Sequence, residues 1–371
     1  MSAVTNLGLE VIVKIRIFLV LRLAFWLITG LAVSTYPLVG ATYFVGSCHV
    51  NSFSTINGAI QSPTVVAGDT IKICPGDYPE QVIVSKPLNL QGVVRNNSDQ
   101  VRIYVDGLGL QEPTSVVFGG PVEPAVWVTT GPVNIQDVQV WNDASDYFCA
   151  QAAFFFQAGS SGTLNHVVAG YGTCGPAIWA EATQSATGSL TIANSIVYGI
   201  QAGSQQPPNT TPSLTLTIAQ NEIFSVSYAE CYFDCGPSNL YPGIYLYMAG
   251  GTVSHNTITG WDNFVAQSVG IFDGAPGVTL TNNTFLNLDT GISLNVDGAI
   301  VKSNTLFLQN VNPFVSLSPT TPVGIEFNCH VGTVSSNILN GSSGIALDLV
   351  PNGFTGPNII SNVSQWMRGC P

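Results

Sequence analysis

The sequence predicts an all-β chain folded as one long parallel β-helix, a solenoid of stacked coils. The first observation behind this prediction is a repeat in which four segments begin with Gly-Ile and reach an Asn thirteen residues later. These segments cover residues 243–256, 270–283, 291–304 and 324–337. The second is composition: 8% of the residues are charged, against roughly 25% in ordinary domains. A surface with so few charges suits stacked strands whose outer faces carry hydroxyl and amide groups.

Each repeat predicts short strands separated by bends. The Ile and the alternating apolar residues after it mark the inward side of a short strand, and a Gly-containing turn and a second strand follow. The recurrent Asn then lies at a tight bend, where its side chain tolerates left-handed backbone and its amide can bond to stacked copies. We therefore expect one interior Asn column with these members: Asn256, Asn283, Asn304 and Asn337. Looser copies of the repeat end at Asn194, Asn221 and Asn362.

A short amphipathic helix is predicted at the start of the solenoid. Phe53, Ile56 and Ile60 follow a helical spacing, with Ser52 or Ser54 as the N-cap. The open end of a solenoid needs such a cap.

Residues 1–41 predict a secretory signal peptide. Basic residues (Lys14, Arg16 and Arg22) precede the apolar run 23–33, and Val39 and Ala41 supply small residues before the cleavage site. The alternative is a membrane anchor, but a spanning helix needs about 20 apolar residues. We expect a protein secreted to the extracellular space or the periplasm, with residues 42–371 forming a single β-helix domain.

The charge balance limits the partners. Removing the leader leaves 6 basic and 20 acidic residues, a formal net charge of −14. Nucleic acids and anionic membranes bind clustered Lys and Arg, so neither is expected as a partner.

All eight cysteines follow the leader, and an even number in an exported chain predicts disulfides. Two spacings, Cys48 to Cys74 and Cys149 to Cys174, equal about one coil, which places each pair on neighbouring strands within disulfide reach. The remaining four can pair as Cys231 with Cys235 and Cys329 with Cys370. A cysteine metal site is disfavoured because no C-x-x-C pair is present.

The stretch FSTINGAIQSPTVVAGDTIKICPGDYPEQVIVSKPLNLQGV resembles the opening of right-handed parallel β-helix proteins of the pectin lyase-like superfamily. The Gly-Ile…Asn repeats resemble the coils of the same superfamily, and together the resemblance covers about residues 43–365. It implies the fold and its handedness but no activity, because one scaffold hosts many functions.

The catalytic sets of the resembled enzymes are missing. The chain lacks the Gln-Asp-Thr and Gly-Arg-x-Trp stretches of pectinesterases and the Asp-Asp and Gly-His-Gly stretches of polygalacturonases. Lyases need a basic residue, and between Arg102 and Arg368 the sequence has only Lys302. Pectinesterase and lyase activities are therefore disfavoured.

The Gly-Ile strand is the candidate site. With Ile inward, the residue after Ile and the residue two further on point outward. The outward positions predict substrate-binding residues: Trp179, Tyr245, Tyr247, Phe272, Asn295 and Asn328. Aromatic faces and amides suit sugar rings, which offer apolar C–H surface beside hydroxyls. The alternative is that the rings pack beneath the loops 202–217 and 225–242.

Two acids on the same face, Glu326 and Asp348, are the candidate catalytic pair. We expect diagonal neighbours roughly 7–8 Å apart, within the range of about 6.5–9.5 Å of inverting glycosidases. Two solvated surface acids are the alternative. No metal or cofactor is expected, although Asp143 and Asp146, which follow Asn142, could hold Ca²⁺.

Three functions stay open: a non-catalytic module that binds glycan or cell-wall material, a hydrolase that uses the two acids, and a structural or adhesive surface protein. Solvent-open aromatic rings indicate binding, a cleft with convergent acids indicates hydrolysis, and a structural role requires neither.

Overall fold

The chain folds as a right-handed parallel β-helix with a short N-terminal helix, as predicted. The computed structural model describes residues 40–96, 98–106, 110–115, 120–142, 151–170, 175–205, 213–225, 240–260, 267–308, 321–341, 344–351 and 356–371. Each coil passes through sheets A, B and C in turn and then returns to sheet A one level further on. Within the described ranges, every sheet has eleven parallel strands.

The strands of sheet A are β1 Thr42–Val45, β2 Thr70–Ile73, β5 Asn89–Gly92, β8 Val133–Gln136, β11 Gly162–Asn165, β14 Gly188–Ala193, β17 Leu214–Ala219, β20 Ala249–Ser254, β23 Thr279–Thr281, β26 Ile300–Lys302 and β29 Thr333–Ser335. The strands of sheet B are β3 Gly76–Pro79, β6 Val101–Val105, β9 Gln139–Asn142, β12 Val168–Ala169, β15 Ile196–Tyr198, β18 Glu222–Ser225, β21 Thr257–Gly260, β24 Thr284–Leu286, β27 Thr305–Leu308, β30 Ile338–Gly341 and β32 Ile359–Ser361. The strands of sheet C are β4 Val82–Val84, β7 Glu123–Val128, β10 Gln151–Phe156, β13 Ile178–Thr183, β16 Ile200–Gln205, β19 Leu240–Tyr247, β22 Gln267–Asp273, β25 Thr290–Leu294, β28 Val323–Glu326, β31 Ile345–Val350 and β33 Gln365–Gly369.

One apolar core runs along the axis of the solenoid. Alternate residues of each strand point inward, so buried Val, Ile and Leu side chains stack level upon level. The Ile of the Gly-Ile pair is such a position: Ile244, Ile271, Ile292 and Ile325 are register partners in sheet C, and none is exposed. The Gly before it faces a crowded corner, since a Cβ on Gly291 would lie 2.4 Å from Leu306 Cδ2.

The predicted Asn column is confirmed at the bend between sheets A and B. The backbone N–H and the Nδ2 of Asn283 both donate to Oδ1 of Asn304, at 2.9 and 3.0 Å. Asn304 donates in the same way to Asn337, and its Nδ2 also donates to the Leu280 carbonyl on the preceding coil. The column extends in both directions beyond the predicted members, with these residues: Ser195, Asn221 and Asn358.

The left-handed residue of each bend is the one before the column Asn, not the Asn itself. Ser303 has φ 59°, and His255 and Asn282 have φ 58° and 57°. The Asn side chain is therefore needed for its hydrogen bonds rather than for its backbone freedom. Asn194 and Asn362, expected in the looser copies, occupy left-handed positions outside the column.

The N-terminal helix, α1 Ile56–Gln61, covers the first coil with buried Ile56, Ala59 and Ile60. Its N-cap is Thr55, whose hydroxyl accepts from the Gly58 N–H, rather than Ser52 or Ser54. The Glu80 carboxylate accepts from the Ile56 and Asn57 N–H groups and so ties the helix to the chain before β4.

Two predicted disulfides are present. Cys48 and Cys74 join neighbouring levels with a Cα–Cα separation of 5.5 Å, and Cys329 and Cys370, which follow β28 and β33, are 5.7 Å apart. The other four cysteines (Cys149, Cys174, Cys231 and Cys235) lie outside the described residues, as do residues 1–39 of the predicted signal peptide. In the described ranges, no helix has the length and apolarity that a membrane span requires.

Candidate functional site on sheet C

The outward face of sheet C carries the predicted site in a single register. Tyr245, Phe272, Ser293, Glu326 and Asp348 are successive Cα partners on β19, β22, β25, β28 and β31. Adjacent levels are about 4.8 Å apart, so these five levels span roughly 19 Å. We call the outward residues of β19 to β28 and their following turns the sheet C ribbon, whose members are Tyr245, Tyr247, Phe272, Ser293, Asn295, Glu326 and Asn328.

The aromatic half of the ribbon is a stacked pair. The rings of Tyr245 and Phe272 lie 4.8 Å apart and are inclined by 8°. Both side chains are half-buried, and Tyr247, on the same strand, is 40% exposed. Partial burial, and secondarily the neighbouring Tyr247, raise the pKa of the Tyr245 phenol. The hydroxyl therefore remains protonated at neutral pH, as a hydrogen-bond donor beside an apolar ring face.

Trp179 does not belong to this surface, although the sequence predicted that it would be exposed. It is 7% exposed and packs in a small cluster with Val122, Ala152 and Phe155. Val122 lies in the segment between β6 and β7, and it packs over the outward face at this level. Trp179 is therefore buried, but against the segment between β6 and β7 and not against the loops 202–217 and 225–242 that the alternative named.

The polar half of the ribbon is held together by direct hydrogen bonds. The Ser293 hydroxyl donates to Glu326 Oε2 at 2.8 Å and accepts from the side-chain amides of Asn295 and Asn328, at 3.2 and 3.1 Å. The Asn328 amide also donates to Asn295 Oδ1 at 3.2 Å. Asn295, Glu326 and Asn328 are all half-buried. These contacts fix the orientation of the amides and of the Glu326 carboxylate.

The expected spacing of the two acids is wrong. Glu326 and Asp348 are direct cross-strand partners, not diagonal neighbours, because Ala346 rather than Gly344 lies level with Gly324. Asp348 is also 1% exposed, and both oxygens of its carboxylate accept from Arg368, each at 2.5 Å. This bidentate pair raises the pKa of the Arg368 guanidinium, to which Glu326 contributes a smaller electrostatic effect.

Sequence reasoning missed Ser293 and Arg368. Ser293 falls in the outward column of the repeat, so the register alone locates it. Arg368 lies on β33, after the last recognisable repeat, and the Cys329–Cys370 disulfide ties this strand next to Asn328.

A second aromatic group, also missed, lies on the outward face of sheet B. The Trp141 and Tyr198 ring centroids are 6.2 Å apart, and those of Tyr198 and Phe224 are 5.0 Å apart. The Gly170 level separates Trp141 from Tyr198, and a Cβ on Gly170 would lie 2.1 Å from Trp141 Cε3. The absence of a side chain there lets the indole lean towards Tyr198.

The proposed calcium ligands, Asp143 and Asp146, lie outside the described residues. Asn142, which precedes them, has its side chain fully buried, and its Nδ2 donates to the carbonyls of Glu123 and Ala152. The part of the chain that the structure describes contains no group of three His, Cys, Asp or Glu side chains arranged to hold a metal ion.

No family model and no curated protein matches the sequence. Solved structures do show similarity. Pectin methylesterase PemA from Erwinia chrysanthemi is 12% identical, covers 72% of this chain and 87% of its own, and has a TM-score of 0.30. Pectin methylesterase from carrot is 10% identical, covers 82% and 84%, and has a TM-score of 0.36. Similarity at this level concerns the fold alone.

Proposed function

We propose that this chain is an exported glycan-binding protein and that the sheet C ribbon holds a polysaccharide chain along the solenoid axis. The observation that carries the proposal is the stacked Tyr245–Phe272 pair, which continues in register into the hydrogen-bonded group around Ser293. Export is supported by the two disulfides, which persist in oxidising compartments.

The chemistry of the two halves matches the two kinds of surface on a sugar. The C–H face of a pyranose is apolar and packs on an aromatic ring, while its hydroxyls need donors and acceptors. The amides of Asn295 and Asn328 offer both, and Glu326 accepts. Because Ser293 already orients these groups, little side-chain entropy is lost when they bind a ligand.

Binding without cleavage is favoured by the state of Asp348. A glycosidase needs two carboxylates beside the scissile bond, one as general acid and the other as general base or nucleophile. Asp348 is buried, and Arg368 binds both of its oxygens, so it is closed to substrate in either role. Glu326 remains the one candidate for acid–base chemistry in the ribbon.

The test combines binding and hydrolysis on the whole exported protein. A glycan array identifies ligands, and calorimetry then compares wild type with Tyr245→Ala and Tyr247→Ala. We expect each variant to bind about ten-fold more weakly, which is about 1.4 kcal/mol. Phe307→Ala, which removes a 36% exposed ring on sheet B, is the matched control and should bind as wild type.

A reducing-sugar release assay on the ligands found by the array distinguishes a binding protein from a hydrolase. Glu326→Gln should keep most of the affinity, and we expect neither protein to release sugar. Release that Glu326→Gln abolishes would make the protein a hydrolase. An array without ligands would leave a structural or adhesive role, and full affinity in both tyrosine variants would show that the glycan does not bind at the sheet C ribbon.

A further inference from the structure

A groove lies on the outward face of sheet A, near the N-terminal end of the solenoid. It consists of two adjoining cavities of about 400 and 570 Å³, which share Gln91. Polar side chains from successive strands line the first cavity: Thr70, Asn89, Gln91, Asn134, Gln136 and Asn165. Cavities of this size accommodate small ligands. The groove is on a different sheet from the ribbon described above.

An enlarged bend builds one wall of this groove. Between sheets A and B the bends are two residues long, as at Asn282–Asn283, but the bend between β5 and β6 has eight residues, 93–100. The carboxylate of Asp99 accepts from the backbone N–H groups of Arg95 and Asn96, at 2.9 and 3.2 Å, and holds the bend in shape. The enlarged bend places Val93, Val94 and Arg95 in the lining of the second cavity.

The same cavity concentrates positive charge in an acidic protein. Lys72 and Arg95 both line it, and they are two of the six basic residues that follow the leader. Within the described residues neither has a salt bridge, whereas Arg368 pairs with Asp348 and Lys86 donates to the carbonyls of Ser62 and Val65.

Two further groups complete the second cavity. Phe44, stacked on His49 at 4.0 Å, adds an aromatic ring beside Lys72. Asp137 lies on the far side, 3.8 Å from the imidazole of His166. The lining of the second cavity thus combines an aromatic ring, one amide, two valines and two cations with a single acid.

We propose that the sheet A groove binds an oligosaccharide that carries an oxoanion. Its hydroxyls pair with the Asn and Gln amides, and its carboxylate or sulfate lies between Lys72 and Arg95. A guanidinium and an ammonium form strong charge-assisted hydrogen bonds with such groups. The formal net charge of −14 after the leader repels densely charged chains, so the ligand carries its oxoanions sparsely.

Calorimetry on the whole protein tests this with four probes: xylotetraose, xylotetraose bearing one glucuronate, xylotetraose bearing one sulfate ester, and sodium sulfate. We expect one or both anionic oligosaccharides to bind well, and the neutral sugar and the free ion to bind weakly. Comparison of the glucuronate and sulfate forms identifies the oxoanion. Lys72→Gln and Arg95→Gln should each weaken binding about ten-fold.

Lys302→Gln is the matched control, because Lys302 points outward from the same sheet but lies outside both cavities. The proposal is overturned if neither anionic oligosaccharide binds, or if sodium sulfate binds as tightly as they do. It is also overturned if Lys302→Gln weakens binding as much as Lys72→Gln. Tyr245→Ala should leave this binding unchanged, so the sheet A groove and the sheet C ribbon succeed or fail separately.

Discussion

Asp273 is a carboxylic acid in the apolar interior, and its replacement should change how stability depends on pH. It is the last residue of β22, it is level with Leu246 and Leu294, and it is fully buried. One oxygen accepts from the Ala275 N–H at 3.1 Å, and the other has no hydrogen-bond partner among the described residues. Burial raises the pKa of Asp273 to about 7, and the hydrogen bond from Ala275 offsets this only in part.

The size of the effect follows from the pKa shift. The rise from 3.8 to about 7 is about three units, and each unit is worth about 1.4 kcal/mol. A raised pKa means that the folded state holds the proton more tightly than the unfolded state, so stability falls as pH rises through this range. The loss relative to the protonated protein is about 1.5 kcal/mol at pH 5 and about 4 kcal/mol at pH 8.

Asp273→Asn removes this titration and keeps the shape of the side chain. We expect its stability relative to wild type to be about 2–3 kcal/mol more favourable at pH 8 than at pH 5. The informative quantity is the difference between the stability changes at the two pH values. The free-energy cost of burying a neutral amide is the same at both pH values and therefore cancels. Urea unfolding at both pH values measures it.

Asp297→Asn is the control. The hydrogen bond from the Val331 N–H is the main reason that the pKa of exposed Asp297 is lowered, so this acid is ionised at both pH values. Its replacement should change the difference in stability between the two pH values much less than Asp273→Asn does, since only its exposed contact with His330 depends on pH. If Asp273→Asn changes stability equally at pH 5 and pH 8, Asp273 does not titrate between them and the reasoning is refuted.

Three other substitutions have definite expected outcomes. Asn304→Leu removes the four hydrogen bonds that the Asn304 side chain makes and should destabilise by about 2–6 kcal/mol in urea unfolding, since each contributes about 0.5–1.5 kcal/mol; a loss below 1 kcal/mol would contradict the column. Cys370→Ser should lower stability by about 2–4 kcal/mol and increase hydrogen exchange in the strand that carries Arg368; unchanged exchange would show that the disulfide does not hold this strand. Gly170→Ala should displace the Trp141 ring, destabilise by about 1–3 kcal/mol and shift the indole fluorescence, and an unchanged spectrum would refute the close packing.

The fold was predictable because it rests on a short-range pattern that repeats. The inward Ile, the Gly before it and the column Asn recur within one segment of each coil, and the hydrogen bonds of Asn304 show why this Asn cannot be exchanged freely. The left-handed residue was misassigned because residues as different as His255 and Ser303 fill that position and leave no pattern in the sequence.

The site was less predictable, since it depends on register and on connecting segments. On β31 the residue that is level with Gly324 of the preceding repeat is Ala346, not Gly344. The Gly-Ile pair at Gly344 therefore lies two residues too early in the chain to mark the register. A dipeptide match cannot detect this shift, and it changed the predicted relation of Asp348 to Glu326. The burial of Trp179 depends on Val122, which lies far away in sequence.

The spacing along the Asn column also indicates where the chain accepts additional sequence. Neighbouring members are 21 residues apart from Asn283 to Asn304 but 35 residues apart from Asn221 to Asn256, yet the hydrogen bonds between them have nearly the same lengths. Most of the difference falls in the connections from sheet B to sheet C, while the bend from sheet A to sheet B keeps its length. Between Asn221 and Asn304 the additional sequence is thus accommodated mainly at one corner of the solenoid, beside the sheet C ribbon. New recognition loops can be added there without disturbing the amides that hold the levels together.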